Sequence, residues 1–265
     1  MPTRIKRILN LDGRRSRQDS ALTPRHKRRS SSPYSVDRAE ITVESWSWAF
    51  ADDRRDDIAR HFAQIQANRP AVWNGRVLLL NRCIVRGGVL RGACFETDFA
   101  SLCAWRDWDF PDASVHNIFA AAALRAADGA YLLGEMAPST ANAGMLYFPC
   151  GTPEPGDVGP GAVLDLEGNL RRELLEETGI EIGELAAEPG WTMVRDGCYL
   201  ALFKRLTARQ NADECRARIM RYIASEKQPE FANVHIVRGP AHFDPRMPRF
   251  VTTFLSDIWS QSAGH

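Results

Sequence analysis

The chain has no apolar run long enough to cross a bilayer. The longest, Ile118 to Leu124, covers seven residues, and a spanning helix needs about 20. It has no CxxC pair. Its six cysteines (Cys83, Cys94, Cys103, Cys150, Cys198 and Cys215) are scattered, which argues against a zinc ribbon or a disulfide framework and for reduced thiols in a cytoplasmic protein. No segment repeats at a fixed period, which excludes a solenoid or propeller. No charged start leads into an apolar stretch, so no secretory signal is expected. Net charge is also scarce, at +1 over 265 residues.

That small balance hides an asymmetry. Of 34 Lys/Arg and 33 Asp/Glu, residues 1–31 hold ten bases and two acids, leaving 24 bases against 31 acids in the rest. The charge and the Ser/Pro content of HKRRSSSPYS argue for a disordered basic tail over residues 1–37. Such a tail reads as a nucleic-acid contact or an organelle address, or else as a solvated arm or an over-long reading frame. Beyond it, the chain's 44% hydrophobic and 25% charged content is that of a globular protein able to bury a core.

Residues 38–112 read as a smaller strand-rich N-terminal domain, with order from near Ile41. ITVESWSW alternates as a strand does. Asp52 to Gln66 spaces Ile58, Phe62 and Ile65 as a helix. RVLLLNRCIV and VLRGACFET form two strands joined at Gly87-Gly88. Asp98 caps a short helix carrying Leu102 and Trp105. The tryptophans of AWRDWDFPD read as packing between two domains, with a base-stacking site as the alternative.

Residues 113–265 form a second unit. NIFAAAALR and AYLLGEM read as a long hairpin, and MLYFP as a strand running into the loop CGTPEPGD. Two further strands flank Asp196-Gly197. Asn211 to Lys227 is a helix, NVHIVR a strand, and Phe250 to Trp259 a closing helix. Strands flanked by helices predict an α+β or α/β sandwich.

The most informative stretch is RRELLEETGI, Arg171 to Ile180. With Asp165 as N-cap, a rotation of about 100° per residue sets Glu173, Glu176 and Glu177 along one side. Leu170, Leu174 and Leu175 are expected on the other, against a sheet. Gly179 supplies a left-handed stop. Neighbouring glutamates repel by a few tenths of a kcal/mol per pair, roughly. Arg171 and Arg172 offset part of that, and a hard divalent cation would offset far more. Mg²⁺ takes oxygen ligands and sits between carboxylates and phosphate. The glycine loop just upstream is expected to add free carbonyls.

PCGTPEPGD followed by RELLEETGI resembles the signature of the Nudix hydrolases: a glycine, five residues, an acid, seven residues, then Arg-Glu-apolar-x-Glu-Glu-x-Gly-apolar. Gly151 is the glycine and Asp157 the acid, an aspartate where glutamate is usual. Arg172, Glu173, Leu174, Glu176, Glu177, Gly179 and Ile180 match the second half without a gap. The spacer from Asp157 to Arg172 is too long, and the surplus falls on Val158 to Leu164. Loops tolerate insertion cheaply, so helix and carboxylates can survive. What the insert puts in question is the Asp157–Arg172 ion pair that the pattern implies.

The resemblance implies a Nudix α/β/α sandwich with a mixed sheet over residues 113–265, and hydrolysis of a nucleoside diphosphate joined to another moiety. It implies Mg²⁺, with Mn²⁺ as a substitute, held by Glu173, Glu176, Glu177 and the Gly151 carbonyl, and Arg172 orienting Glu173. Glu173, Glu177 and Arg172 are then the catalytic set. A strand-rich domain ahead of the core, with DFASL-CAWRDWDFPD leading into it, looks similar to members that act on UDP-glucose and UDP-galactose, and points to a nucleotide sugar. ADP-ribose, dinucleoside polyphosphates and oxidised nucleotides are the alternative substrates. A signature glutamate or one of Glu226, Glu230, His235 and Asp244 would take the water proton. Tyr199 stands near where some dinucleoside polyphosphate hydrolases use a tyrosine, and the extra motif of coenzyme A-cleaving members is absent. The competing class is a non-catalytic nucleotide sensor, but no helix-turn-helix is recognised and all three glutamates are kept. Neither a membrane nor a nucleic-acid partner is expected; the sequence leaves oligomeric state open.

Overall fold

A computed structural model of the chain describes residues 32–262. Its strands are β1 (Tyr34–Val36), β2 (Arg38–Val43), β3 (Arg76–Arg86), β4 (Val89–Asp98), β5 (Asn117–Arg125), β6 (Tyr131–Met136), β7 (Leu146–Tyr147), β8 (Cys150–Gly151), β9 (Val158–Gly159), β10 (Val163–Leu164), β11 (Ala186–Ala187), β12 (Trp191–Asp196), β13 (Tyr199–Thr207) and β14 (Phe231–Val237). The helices are α1 (Ala49–Asp53), α2 (Arg55–Asn68), α3 (Phe99–Asp107), α4 (Leu166–Thr178), α5 (Ala212–Ser225) and α6 (Arg249–Ser262). The class is α+β, as expected, with two mixed sheets.

The large sheet runs β1-β12-β13-β5-β6-β14, with β11 on β13, β8 on β5 and β7 on β6. At its centre β5 lies parallel to β13, Asn117 opposite Tyr199. β5 is buried along its length except Arg125, so it reads as an apolar run rather than an alternation. Its side chains nevertheless divide by parity. Ile118, Ala120 and Ala122 enter one core together with Leu200 and Leu202 of β13 and Leu166, Leu170 and Leu174 of α4. Phe119, Ala121 and Ala123 enter another, with Phe203, and with Phe250 and Phe254 of α6. Helices therefore cover both faces.

The small sheet runs β3-β4-β2-β10-β9. β3 and β4 pair through Gly87-Gly88 as predicted, both glycines at positive φ (57° and 73°) as a tight two-residue hairpin requires. Asp98 caps α3, accepting from the Ser101 amide at 2.7 Å. Trp48 and Trp105 are buried in a third core that also takes in Ala141 and Cys198 from the second half of the chain, so these tryptophans pack between the two halves.

Several expectations need correction. The tail expected over 1–37 lies outside the described residues up to 31, but Tyr34–Val36 is strand β1, paired with β12 (Tyr34 opposite Met193). The helix expected from Asp52 is two, broken at Arg54. β5 and β6 do not form a long hairpin: they meet only at Arg125 and Tyr131, and the gap that opens takes β8 on one side and β7 on the other. Residues on both sides of the division expected at 112/113 share one core, since Ile41, Leu78, Leu80 and Leu90 pack with Ile118 and Leu200. All six cysteines are free thiols, five of them buried. Among the described residues no helix is long and apolar enough to cross a membrane.

Candidate active site

α4 starts and stops where its sequence dictates. The Asp165 carboxylate accepts from the Gly168 amide at 2.8 Å, satisfying one of the donors that a helix start leaves open. Gly179 takes the left-handed conformation (φ 68°) and its amide returns to Leu175 O, which only glycine does without strain. Tyr222 of α5 closes this end, its ring lying where a Cβ on Gly179 would be and its hydroxyl donating to Glu176 O at 3.2 Å.

The buried stripe of α4 is not the one expected. Leu166, Asn169, Leu170, Glu173, Leu174, Glu177 and Thr178 are buried, and Leu175 is 42% exposed. A step of about 100° carries Leu175 off the stripe that Leu170 and Leu174 define. The glutamates are not segregated from the leucines. Glu173 and Glu177 lie within the apolar stripe, at 4% and 3% exposure, while Glu176 sits at its edge.

Both buried glutamates meet β8. Glu177 Oε2 accepts from the Cys150 amide at 2.9 Å. The Glu173 carboxylate lies against Gly151, so close that a Cβ there would overlap it. Burial pushes the Cys150 thiol far up, and the carboxylates of Glu177, Glu173 and Glu230 add to the shift. Three acids, two of them on α4, thus bear on one buried thiol. Gly151 lies in a strand opposite Ala120, not in the open loop the sequence suggested, though a carbonyl engaged in a ladder keeps a second lone pair.

Arg172 ties the other acids together. Its guanidinium lies 3.1 Å from Asp157 Oδ2, 2.7 Å from Glu173 Oε1 and 3.4 Å from Glu176 Oε2. Burial works against its charge, but Glu173, Asp157 and Glu176 outweigh that and raise its pKa. The questioned Asp157–Arg172 pair is therefore present. Asp157 is fixed in turn by the Asn169 amide group at 3.0 Å and the Glu154 main-chain amide at 2.9 Å.

The expected trio is not a preformed cage. Among the described residues no three His, Cys, Asp or Glu side chains are placed to hold one ion together. The reason is visible: Arg172 Nη1 stands on both Glu173 and Glu176, while Glu177 turns to Cys150.

The remaining candidates separate. Glu230, 5% exposed, adds its charge to the field that raises the Cys150 thiol, and its carbonyl accepts from the Ala137 amide at 2.7 Å. Glu226 lies near Tyr222, at the far end of α4, where its charge adds to the burial that raises the tyrosine hydroxyl. His235 and Asp244 belong to a half-exposed network, with His235 on Glu135 at 2.6 Å and Arg246 on Asp244 at 2.9 Å. Tyr199 is partly buried beside Phe110 and Phe250, and desolvation raises its hydroxyl pKa. Asn169 and Tyr222 were not foreseen. Asn169 had a signal, as a polar residue in register with Leu166, Leu170 and Glu173.

No family model matches the chain, and no curated protein matches it. Among solved structures it is similar to a Nudix hydrolase from M. smegmatis, RenU, at 17% identity over 56% of this chain and 86% of that one, with a TM-score of 0.37. It is similar to a MutT protein from Methanosarcina mazei Go1 at 18% identity, over 56% and 95%, with a TM-score of 0.36. It is similar to a C. elegans Ap4A hydrolase at 15% identity, over 56% and 98%, with a TM-score of 0.36. Likeness at this distance carries no argument about activity.

Proposed function

We propose that the chain hydrolyses the pyrophosphate bond of a nucleoside diphosphate linked to another moiety, with a nucleotide sugar such as UDP-glucose foremost. The observation that supports this most is the meeting of two buried carboxylates, Glu173 and Glu177, on Cys150–Gly151. Burying a carboxylate costs several kcal/mol, roughly, unless positive charge or donors answer it. Asp157, Glu173 and Glu176 share the one Arg172 guanidinium. The donor set is all oxygen, which suits Mg²⁺ or Mn²⁺.

A hard cation of this kind commonly takes only one or two protein carboxylates and completes its shell with water and phosphate, so a three-ligand cage is not required. Glu173, Glu177 and the Gly151 carbonyl would hold it, with Glu176 joining from Arg172. When bound, it supplies neutralisation of the phosphate oxygens and a more acidic water. Arg172 keeps Glu173 pointed at the site, and a signature glutamate or Glu230 would accept the proton of the attacking water. The nucleotide-sugar choice rests on the N-terminal sequence resemblance alone, with ADP-ribose, dinucleoside polyphosphates and oxidised nucleotides as alternatives.

A panel of these compounds, with Mg²⁺ or Mn²⁺ and product analysis, tests the reading. The expected result is metal-dependent release of a nucleoside monophosphate and a phosphorylated partner from UDP-sugars. Cleavage of nucleoside triphosphates alone would overturn the sugar-nucleotide choice. No turnover of any compound with either ion would overturn the hydrolase reading.

A further inference from the structure

The seven-residue insert Val158 to Leu164 is not a slack loop. Its base is closed, since the Asp165 amide donates to Asp157 O at 2.8 Å. Within it β9 and β10 pair, Val163 opposite Gly159 and Leu164 opposite Val158. Outward, β10 pairs with β2 of the small sheet, Val163 opposite Thr42, and Leu164 is buried in the core that both sheets share. On the other side of the same turn the Leu78 amide of β3 donates to Pro153 O at 2.8 Å. Between these two ties lies the 3-10 turn Pro155–Asp157. Its aspartate grips Arg172, and Arg172 grips Glu173.

We propose that the small sheet is the positioning element of the site. Through β2, β10 and Leu78 it holds Asp157 against Arg172 and so fixes the direction of the Glu173 carboxylate. The catalytic consequence rests on the hydrolase reading above; the mechanical coupling does not. A side chain held through main-chain ladders on both flanks of its turn has little freedom left, and catalytic groups need placement within about half an ångström. Asp157 is thus a positioning residue, and the insert places it rather than displacing it.

Two full-length variants test this. One replaces residues 158–164 by Gly-Gly, bridging ends that already lie a hydrogen bond apart. The other, Leu164→Ala, removes the buried anchor and keeps the chain length. Hydrogen exchange read by mass spectrometry reports on residues 151–157 and 165–172 directly. Exchange there is expected to rise about tenfold or more in both variants, with α5 and β13 unchanged, as local opening does. The kcat of metal-dependent hydrolysis is expected to fall about tenfold, with KM changed less than about twofold. Unchanged exchange at 151–157 in both variants would overturn the coupling. Raised exchange with the parent kcat would overturn its link to Glu173. A parent that hydrolyses nothing on the panel would sink the hydrolase reading, while the exchange result would still decide the mechanical one.

Discussion

The two sheets serve α4 in different ways. The large sheet brings β8 against the middle of the helix, where Glu173 and Glu177 are buried on Cys150–Gly151. The small sheet touches the approach to the helix, through β10 and through Leu78 on Pro153. One sheet furnishes the ground on which charge sits, and the other furnishes direction. The lesson is that a carboxylate site can be chemically local while its orientation is borrowed from a part of the chain far away in sequence.

The contrast predicts the greatest loss on the large-sheet side. Glu177→Gln keeps an acceptor for the Cys150 amide and keeps the shape, but removes the charge. Turnover should fall by roughly 10³-fold or more, since a hard cation needs the ionised oxygen, with a melting temperature within about 2 °C of the parent. Steady-state kinetics beside a thermal melt check it. Parent-like turnover would mean that the chemistry is not on this side.

Gly151→Ala comes next. The new Cβ would overlap the Glu173 carboxylate, the far end of a flexible side chain, so the fold survives and the carboxylate moves. A displacement of about 1 Å costs on the order of 10² in rate. A variant with parent-like circular dichroism and parent-like turnover would show that Glu173 need not lie on β8.

Arg172→Ala cuts the link between the two sheets' contributions. Asp157 and Glu173 lose their shared guanidinium. A fall in kcat of roughly 20-fold is expected, with Arg172→Lys recovering little, because an ammonium cannot reproduce the planar fork. A full rescue by lysine would show that Arg172 supplies charge and not direction.

How much of this was legible in the sequence follows from which interactions are local. The caps of α4 were readable because Asp165 and Gly179 act within one turn, and Gly87-Gly88 announced its own hairpin. The faces of α4 were misjudged because periodicity ranks residues around a helix without saying which neighbour covers them. Leu175 is therefore expected inward with Leu170 and Leu174, and Glu173 and Glu177 on the opposite side, whereas both glutamates are buried within that stripe. The insert was recognised as extra length, but a two-residue strand carries no pattern, so its pairing with Thr42 could not be read. The same holds for β1 on Trp191–Met193. The Asp157–Arg172 pair survived the insertion because the hairpin closes at its base, a long-range fact invisible in spacing.

The smallest expected effect concerns the seam. Leu80 and His116 exchange main-chain hydrogen bonds at 2.9 and 2.8 Å, joining β3 to the approach of β5. The His116 ring is buried and accepts from Arg195 at 2.7 Å. Burial first, and then the Arg195 charge, push its pKa down to about 4, against weak opposition from the Ser114 main chain and Asp112. An unfolded histidine titrates near about 6.5. Between those values the unfolded chain binds a proton that the folded chain refuses, so the histidine's contribution is complete above about pH 6.5 and is lost as pH falls toward 4. Urea unfolding at pH 7.5 and pH 5 should show the parent losing on the order of 1–2 kcal/mol more than His116→Gln does. Equal losses would mean that water already reaches the ring and that the seam is open. A coupling between sheets that depends on a dry joint would then have to run through β2 and β10 alone.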